Sequence, residues 1–388
     1  MGIIKGNQII SLEAFLCEGS FGSGKYYGYK NKKIISLVKI RTANKTIGYG
    51  ESLVGIYSPE LFQINIKYLS SFFVKKSPFE GLKEIETLQK NKFFFINGAI
   101  KSLLAAIEIA LIDLYSKENN ISIANAIKEL YKLESDLSTV KLYSSAGSIK
   151  SNLEDLKRDA NKSKKLNINR IKIRIDCQQK YKSKLDVISD NIKEFAVDII
   201  ANSYPKNSDP RFVKTFLENT NNYNFLWVEE PLEVEKLFHF HKLRKQFKDI
   251  KFSYGENFNS SYDFINLLSS LKFNYINPDI SHITIQDFFN IINYFKKNSK
   301  KNNKVILHCW GGVINLNMSL SLASLLKDHI KYVEFPIADF SLNEKYINNC
   351  RIKDSKLNID NDIVGNPNYF VKENKIIKIK KKSVFHFD

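Results

Sequence analysis

Two adjacent carboxylates stand at the end of an apolar stretch of the chain. The segment LWVEEPL (226–232) runs from large apolar residues into Glu229 and Glu230. Pro231 has no backbone N–H, so ladder pairing is interrupted directly after them. A buried strand that ends in paired carboxylates needs a positive charge beside it, and either a metal ion or a structural ion pair could supply that charge.

Similar polar residues recur at regular steps through the chain. After about residue 138, short apolar runs alternate with amphipathic segments, which is typical of repeated βα units and a parallel sheet. Eight runs fit this pattern: STVKLYSS (138–145), RIKIRID (170–176), AVDIIANS (196–203), FLWVEEP (225–231), KFSYGEN (251–257), NYINPD (274–279), KVILHCW (304–310) and KYVEFP (331–336). Polar residues end seven of them, about 27 residues apart: Lys172 with Arg174, then Asn202, Glu229, Glu256, Asp279, His308 and Glu334.

This spacing predicts that the polar side chains converge. One unit of strand, loop, helix and return loop takes about that many residues in an eight-stranded (β/α) barrel, and the C-terminal strand ends of such a barrel build the active site. Charged residues often end strands in any fold, but that explanation covers one or two positions more readily than seven in register.

Composition and the first hundred residues limit the other possibilities. The formal charge is +18, yet KKNSKKNNK (296–304) and KIIKIKKK (375–382) are short runs, and most other lysines stand singly among Asn and Ile. We therefore expect no nucleic-acid partner, although the charge could attract an anionic substrate. No apolar run approaches the roughly 20 residues that span a bilayer, and the start lacks a basic segment followed by an apolar one, so we expect a soluble cytoplasmic protein.

The four cysteines are widely spaced without a CxxC pair, so neither a zinc site nor a disulfide framework is indicated. The length of 388 residues allows two domains, or one barrel with an appendage. Residues 34–42 and 46–52 are β-like, and residues 99–117 have apolar side chains at helical spacing.

In this order the motifs resemble the enolase superfamily, and within it the mandelate racemase and acid-sugar dehydratase group. The matching segments are TIGYGES (46–52), AAIEIALIDLYSK (105–117), KLYSSAG (141–147), KIR (172–174), WVEEPL (227–232), YGENF (254–258), INPDIS (276–281) and HCWGG (308–312). The resemblance implies a (β/α)7β barrel at residues 126–344, with an α+β capping domain made of residues 1–125 and completed by 345–388. It also implies Mg²⁺, abstraction of the proton α to a carboxylate, and a homo-oligomer, either a dimer or an octamer.

The resemblance assigns Glu229 and Glu256 as metal ligands, with Glu230 as a supporting or packing residue. The first ligand of the family is usually Asp. We place Asn202 there because 202, 229 and 256 are then equally spaced, whereas other registers give Ile200 or Asp198. An amide oxygen can bind Mg²⁺, but it carries no negative charge.

The resemblance also assigns an Asp279–His308 dyad, in which the carboxylate would fix the tautomer and raise the basicity of the imidazole. Lys172 would hold the substrate carboxylate, and Glu334 would hydrogen-bond to it. Arg174 stays protonated, so it would be an electrostatic clamp and not a base.

A racemase needs a base on each face of the substrate carbon, whereas a dehydratase can use one base and one acid. Arg174 therefore favours dehydration of a sugar acid, an aldonate or an aldarate, to a 2-keto-3-deoxy acid. A racemase or epimerase on the same scaffold, and a non-catalytic sugar-acid-binding protein, remain alternatives. CEGSFGSGKYYGYK (17–30) lacks the phosphate-loop pattern. We expect it to form a flexible capping loop, with Phe21, Lys25, Tyr26 or Tyr27 against the substrate.

Overall fold

The computed structural model describes residues 7–26, 29–91, 98–178, 181–298, 305–359 and 376–377. The side chains of 23–26, 29–31, 56, 268 and 376–377 lie outside this description. Within the described ranges, every helix is too short or too polar to cross a membrane.

The N-terminal part is an antiparallel sheet covered by helices. Strands β1 (Ile9–Tyr26), β2 (Tyr29–Thr42) and β3 (Ile47–Ser52) pair in that order, and a short strand at Ile376–Ile377 pairs with β1. Helices α1 (Val54–Tyr57), α2 (Pro59–Phe73), α3 (Pro78–Lys90) and α4 (Gly98–Asn119) follow. Of the segment predicted as a flexible capping loop, residues 17–26 lie in β1 and residues 29–30 in β2, whereas Tyr27 and residue 28 fall outside the described residues.

The glycines of TIGYGES let α4 pack directly on β3. A Cβ atom at Gly50 would lie 1.7 Å from the carbonyl oxygen of Ala106, and one at Gly48 would lie 2.1 Å from that of Ala110. Real Cβ atoms cannot approach so closely, so glycine on the strand and alanine on the helix are both needed for this contact.

The remaining strands form a closed parallel barrel. They are β4 (Val140–Ala146), β5 (Arg170–Arg174), β6 (Glu194–Asp198), β7 (Val228–Glu229), β8 (Phe252–Tyr254), β9 (Tyr275–Ile276), β10 (Val305–Leu307) and β11 (Ile330–Pro336). Each strand pairs in parallel with the next, and β11 pairs with β4 to close the ring. All eight predicted strands are present, so the predicted fold class is confirmed.

Helices connect the strands. They are α5 (Ile123–Leu130), α6 (Leu153–Lys165), α7 (Tyr181–Asn191), α8 (Pro210–Asn219), α9 (Phe240–Gln246), α10 (Ser261–Asn266), α11 (Ile285–Asn298), α12 (Val313–Leu325) and α13 (Ser341–Asn349). Short 3₁₀ segments lie at Pro205–Ser208 and Val234–His239, and a π-helical turn lies at Leu267–Leu271. Two short strands, β12 (Ile352–Lys353) and β13 (Lys356–Leu357), pair with each other, and β13 also pairs antiparallel with β4. The proposed domain boundaries stay predictions.

A buried carboxylate joins the sheet to the barrel. Glu51 at the end of β3 accepts hydrogen bonds from the backbone N–H groups of Gly312 and Asn315, at the start of α12. Helix α12 is buried along its whole length, so its first N–H groups have little access to water. Glu51 supplies the acceptor and a negative charge at the positive end of the helix.

Candidate active site

Three carboxylates meet at the C-terminal ends of consecutive barrel strands. Asp198 ends β6, Glu229 ends β7, and Glu256 follows β8 by two residues. One oxygen from each lies within 4.8 Å of one oxygen from each of the others. Asp198 and Glu229 are fully buried, and burial raises the pKa of both carboxyl groups. Such a cluster is unfavourable unless cations compensate it.

The structure corrects the predicted position of the first carboxylate. Asp198 lies beside the two glutamates, whereas Asn202 lies four residues further along, after the chain has turned at Ile200 with a φ of 43°. The amide oxygen of Asn202 accepts from the N–H of Val234 at 2.9 Å. The structure thus places Asp198, and not Asn202, beside Glu229 and Glu256, because equal spacing in sequence assumes equal strand and loop lengths.

Asn202 instead supports the second carboxylate of the opening motif. Its Nδ2 donates to Glu230 Oε1 at 2.5 Å, and Asn257 donates to the same oxygen at 2.9 Å. The hydroxyl of Tyr254 lies 3.1 Å from Asn202 Oδ1. Burial, followed by the charge of Glu256, raises the pKa of Glu230 well above its ordinary value. Glu230 has a φ of 43°, so this network also fixes an unusual backbone turn after Glu229.

Lys172 supplies positive charge to the cluster. Its Nζ lies 2.5 Å from Glu229 Oε1, 3.6 Å from Glu334 Oε2 and 3.8 Å from Asp198 Oδ2. Burial alone would lower the pKa of Lys172, but the attraction of these carboxylates outweighs it and the net pKa is raised. Lys172 was predicted to hold a substrate carboxylate; in this structure its ammonium group contacts carboxylates of the protein.

Arg174 lies beside the cluster on the same strand. Its Nε is 3.8 Å from Asp198 Oδ2, and its guanidinium donates to the carbonyl oxygen of Gly147 at 3.0 Å. The guanidinium carbon also lies 5.1 Å from the centre of the Trp310 ring. Burial lowers the pKa of Arg174, but nearby carboxylates, Asp198 first, outweigh it and raise the net value. Arg174 is thus a fixed cation.

His308 and Asp279 form the predicted pair. His308 Nδ1 lies 2.7 Å from Asp279 Oδ2, while the other carboxylate oxygen accepts from Ser281 and from Asn315. Nε2 therefore points to the cluster, 3.2 Å from Glu256 Oε2. An N–H on Nδ1 is the tautomer that this geometry favours.

The surrounding carboxylates control the charge of His308. Burial lowers its pKa, but Glu256, then Glu334 and Asp279, outweigh it and raise the pKa to about 10. For Asp279, the hydrogen bond and charge of His308 outweigh burial and lower its pKa to about 2. A cation on Glu256 would weaken the largest of the attractions that hold the proton on His308.

Glu334, on β11, is a fully buried carboxylate beside the cluster. Its Oε2 accepts from the Tyr143 hydroxyl at 3.1 Å and from the Cys309 backbone N–H at 3.2 Å. Burial raises the pKa of Glu334, but Lys172, His308 and Arg174 outweigh it and lower the pKa to about 2. Glu334 is thus an anion among three cationic side chains.

The structure brings together all but one of the predicted barrel residues: Lys172, Arg174, Glu229, Glu256, Asp279, His308 and Glu334. Asn202 is the exception, and their catalytic and ligand roles stay predictions. Lys25 and Tyr26 are the last two residues of β1, and their side chains fall outside the described residues. The Asp198 signal was an acidic residue directly after an apolar run, in EFAVD (194–198), which is also the pattern of Glu229.

The cluster fits a small, hard dication. It offers three carboxylate oxygens, which are the donors that Mg²⁺ prefers, and Asp198 Oδ2 is buried without a hydrogen-bond partner. Asp198, Glu229 and Glu256 are therefore the residues that would hold the ion.

Comparisons with known proteins agree with this architecture. The family model described as enolase C-terminal domain-like matches residues 155–363. No curated protein matches the chain.

Solved structures share the fold at low identity. The 3,6-anhydro-D-galactonate cycloisomerase of Zobellia galactanivorans is 17% identical, with a TM-score of 0.74 over 91% of this chain and 94% of that one. A member of the enolase superfamily from Agrobacterium tumefaciens is 18% identical, with a TM-score of 0.73 over 91% and 94%. An enolase from the Sargasso Sea environmental genome is 21% identical, with a TM-score of 0.72 over 96% of each chain. Because the family model matches more than half of the 388 residues, the chain belongs to the enolase C-terminal domain-like family of the enolase superfamily.

Proposed function

We propose that the protein is a Mg²⁺-dependent dehydratase of a sugar acid, an aldonate or an aldarate. One observation carries the proposal: His308, held by Asp279 on Nδ1, presents Nε2 to the three-carboxylate cluster, while Arg174 is the nearby cation that cannot act as a base. The likeness to a cycloisomerase whose name contains a galactonate supports a sugar acid as the substrate class.

The proposed reaction removes a proton from C2 and hydroxide from C3. His308 takes the C2 proton through Nε2, and the electron pair of that C–H bond forms the C2=C3 double bond. The C3–O bond breaks with its electron pair on oxygen, and His308 returns the proton, so the products are water and an enol. The enol then tautomerises to the 2-keto-3-deoxy acid.

The other charged residues stabilise the negative charge that forms on the substrate. Mg²⁺, when bound by Asp198, Glu229 and Glu256, would act as a Lewis acid toward the substrate carboxylate. Lys172 and Arg174 contribute fixed positive charge at the same strand ends, and preorganised charge of this kind is worth most in a water-excluded site. Glu334 holds Lys172 and His308 in place by charge.

Two alternatives differ in what they require. A racemase or epimerase needs a second base, and the raised pKa values of Lys172 and Arg174 make both residues poor candidates. A non-catalytic binding protein was suggested by an amide in the metal site, and the presence of Asp198 in the cluster removes that reason.

The experiment is a screen of the purified full-length protein with Mg²⁺ against a set of aldonic and aldaric acids, with detection of 2-keto acids. Repeating each reaction in D₂O separates the chemistries, because an epimerase returns deuterated substrate and a dehydratase releases a 2-keto acid. His308→Asn should abolish product, whereas His241→Asn, at an exposed histidine on α9, should not. Deuterated substrate without 2-keto acid would contradict the proposal.

A further inference from the structure

Lys33, on strand β2, is a buried cation outside the barrel. Its residue is 2% exposed, and no described carboxylate lies within ion-pair distance of its Nζ. The ammonium donates instead to the carbonyl oxygen of Trp310 and lies 4.1 Å from the centre of the Trp310 ring. The rings of Phe340 and Phe21 lie 4.9 Å and 5.5 Å away. Three aromatic rings and one carbonyl therefore replace water around this charge.

Burial of this lysine is unfavourable for the fold. Burial lowers the pKa of Lys33 to about 8, and the charge of Glu51 only partly compensates. A methionine of similar length could fill the same space without a charge. Packing alone therefore does not explain a cation at this position, and the groups that Lys33 contacts are the better explanation.

Trp310 connects Lys33 to the active site. It follows His308 by two residues, after strand β10, and its ring also lies 5.1 Å from the Arg174 guanidinium. One indole thus contacts a cation from the N-terminal sheet and a cation from the barrel. The two charges repel each other, so the ring contact and the hydrogen bond to the Trp310 carbonyl oppose that repulsion.

The hairpin that carries Lys33 is attached to the rim of the barrel. The backbone N–H of Gly22 donates to the carbonyl oxygen of Asp339 at 3.0 Å, and that of Ser20 donates to Ser341 Oγ at 2.9 Å. The Phe21 ring packs edge-on against Trp310 at 5.7 Å. Lys33 therefore acts from a surface already fixed to the loops after β10 and β11.

We propose that Lys33 is a positioning residue: it fixes Trp310 so that the indole holds the Arg174 guanidinium against the cluster. The inference that this arrangement serves substrate binding rests on the proposed function. The link from Lys33 through Trp310 to Arg174 is independent of it.

Acrylamide quenching of tryptophan fluorescence tests this link in the full-length protein without substrate. The chain has two tryptophans, and Trp227 is 1% exposed inside the barrel, so the quenchable emission belongs mainly to Trp310. A Trp310→Phe variant verifies that assignment. Lys33→Met should raise the quenching constant at least about twofold, because the ring loses a cation contact and its carbonyl loses a donor.

Two variants act as controls. Lys33→Arg keeps a cation and a donor and should stay near the parent value. Lys39→Met removes another lysine of β2 that lies over an aromatic ring, Phe15, without touching Trp310, and it should leave quenching unchanged. If methionine prevents folding, as judged by circular dichroism, Lys33→Gln replaces it. An unchanged quenching constant in a folded Lys33→Met or Lys33→Gln variant would overturn the proposal.

A double-mutant comparison tests the connection to Arg174. Arg174→Met should itself increase quenching, and adding Lys33→Met to it should have less than its separate effect, because both act on one ring. Additive effects would contradict the proposed link.

With a sugar acid found by the screen, Lys33→Met should raise KM about tenfold and change kcat less, and Arg174→Met should mask this effect. If D-gluconate with Mg²⁺ neither binds nor reacts, and no other sugar acid does, the proposed function fails. The quenching result still decides the role of Lys33.

Discussion

Replacing Lys172 with methionine should tighten Mg²⁺ binding while lowering activity. Both oxygens of Glu229 already have partners: Oε1 contacts Lys172 Nζ at 2.5 Å, and Oε2 accepts from Trp227 Nε1 at 2.8 Å. A dication at the cluster must share or displace one of them. The ammonium is the stronger competitor because it also lies 3.8 Å from Asp198 Oδ2 and repels a second cation.

The size of the effect follows from that contact. A hydrogen bond to a charged group contributes about 1.5–3 kcal/mol net. Since about 1.4 kcal/mol is a factor of ten, removal of the competitor should lower the Kd of Mg²⁺ by about 10- to 150-fold. Loss of the repulsion between the ammonium and Mg²⁺ should tighten binding further. Loss of the ammonium also raises the pKa of the carboxylates, so protons compete better with Mg²⁺ and weaken its binding. Measurement at about pH 8 limits this competition.

Calorimetric titration of Mg²⁺ into metal-free parent and variant measures the change. Lys172→Arg keeps the charge and should show no comparable tightening. Lys331→Met, at a lysine of β11 that contacts the Tyr275 hydroxyl, tests whether loss of any lysine has the same effect. Weaker or unchanged binding by a folded Lys172→Met protein would show that Lys172 orders the carboxylates and does not compete with the metal.

Four further predictions concern single residues of the site. His308→Asn should reduce turnover by at least about 10²- to 10⁴-fold with an unchanged circular dichroism spectrum, and retained activity would remove His308 from the mechanism. Asp198→Asn should weaken Mg²⁺ binding in calorimetry. Asn202→Asp should leave Mg²⁺ binding unchanged. It should also lower the free energy of unfolding by about 1–3 kcal/mol, because Glu230 loses a hydrogen-bond donor and gains a neighbouring negative charge. Without metal, the stability due to His308 should be complete below about pH 6.5 and disappear as the pH rises through about 10, since its pKa is raised on folding. In urea titrations the difference in free energy of unfolding between the parent and His308→Asn should therefore fall over that pH window, by at most about 5 kcal/mol. A difference that does not change with pH would contradict the raised pKa of His308.

The fold could be predicted from the sequence because its signals are local and repeated. Each barrel strand is a short apolar run, and seven of the eight runs end in a polar residue at nearly even steps. The contact of Gly48 and Gly50 with the carbonyl oxygens of Ala110 and Ala106 was not predicted, because it joins a strand to a helix more than 50 residues further along the chain. The hairpin was harder, because Gly and Ser in residues 17–30 resemble a loop although β1 and β2 pair along nearly their whole length.

The site was less predictable than the fold, because a ligand position depends on where a strand ends to within one residue. Equal steps selected Asn202, but β6 ends at Asp198, and the positive φ of Ile200 then turns the next residues away. A β-branched residue in that conformation is strained, and no propensity rule predicts it. The first carboxylate of the cluster could be identified only from its distance to Glu229 and Glu256 on the neighbouring strands.

The position of Lys33 could not be predicted from the sequence either. In the sequence it is one of several lysines in KNKKIISLVKIRT (30–42), and its neighbour Lys32 pairs with Glu18 as surface lysines do. Alternation along the strand turns Lys33 inward, where Trp310, Phe21 and Phe340 come from three separate segments. The sequence does not show that Lys33 is buried, nor that no described carboxylate lies within ion-pair distance of its Nζ. The role proposed for Lys33 therefore depends on its burial and on its contact with the ring that also contacts Arg174, and neither can be read from the sequence.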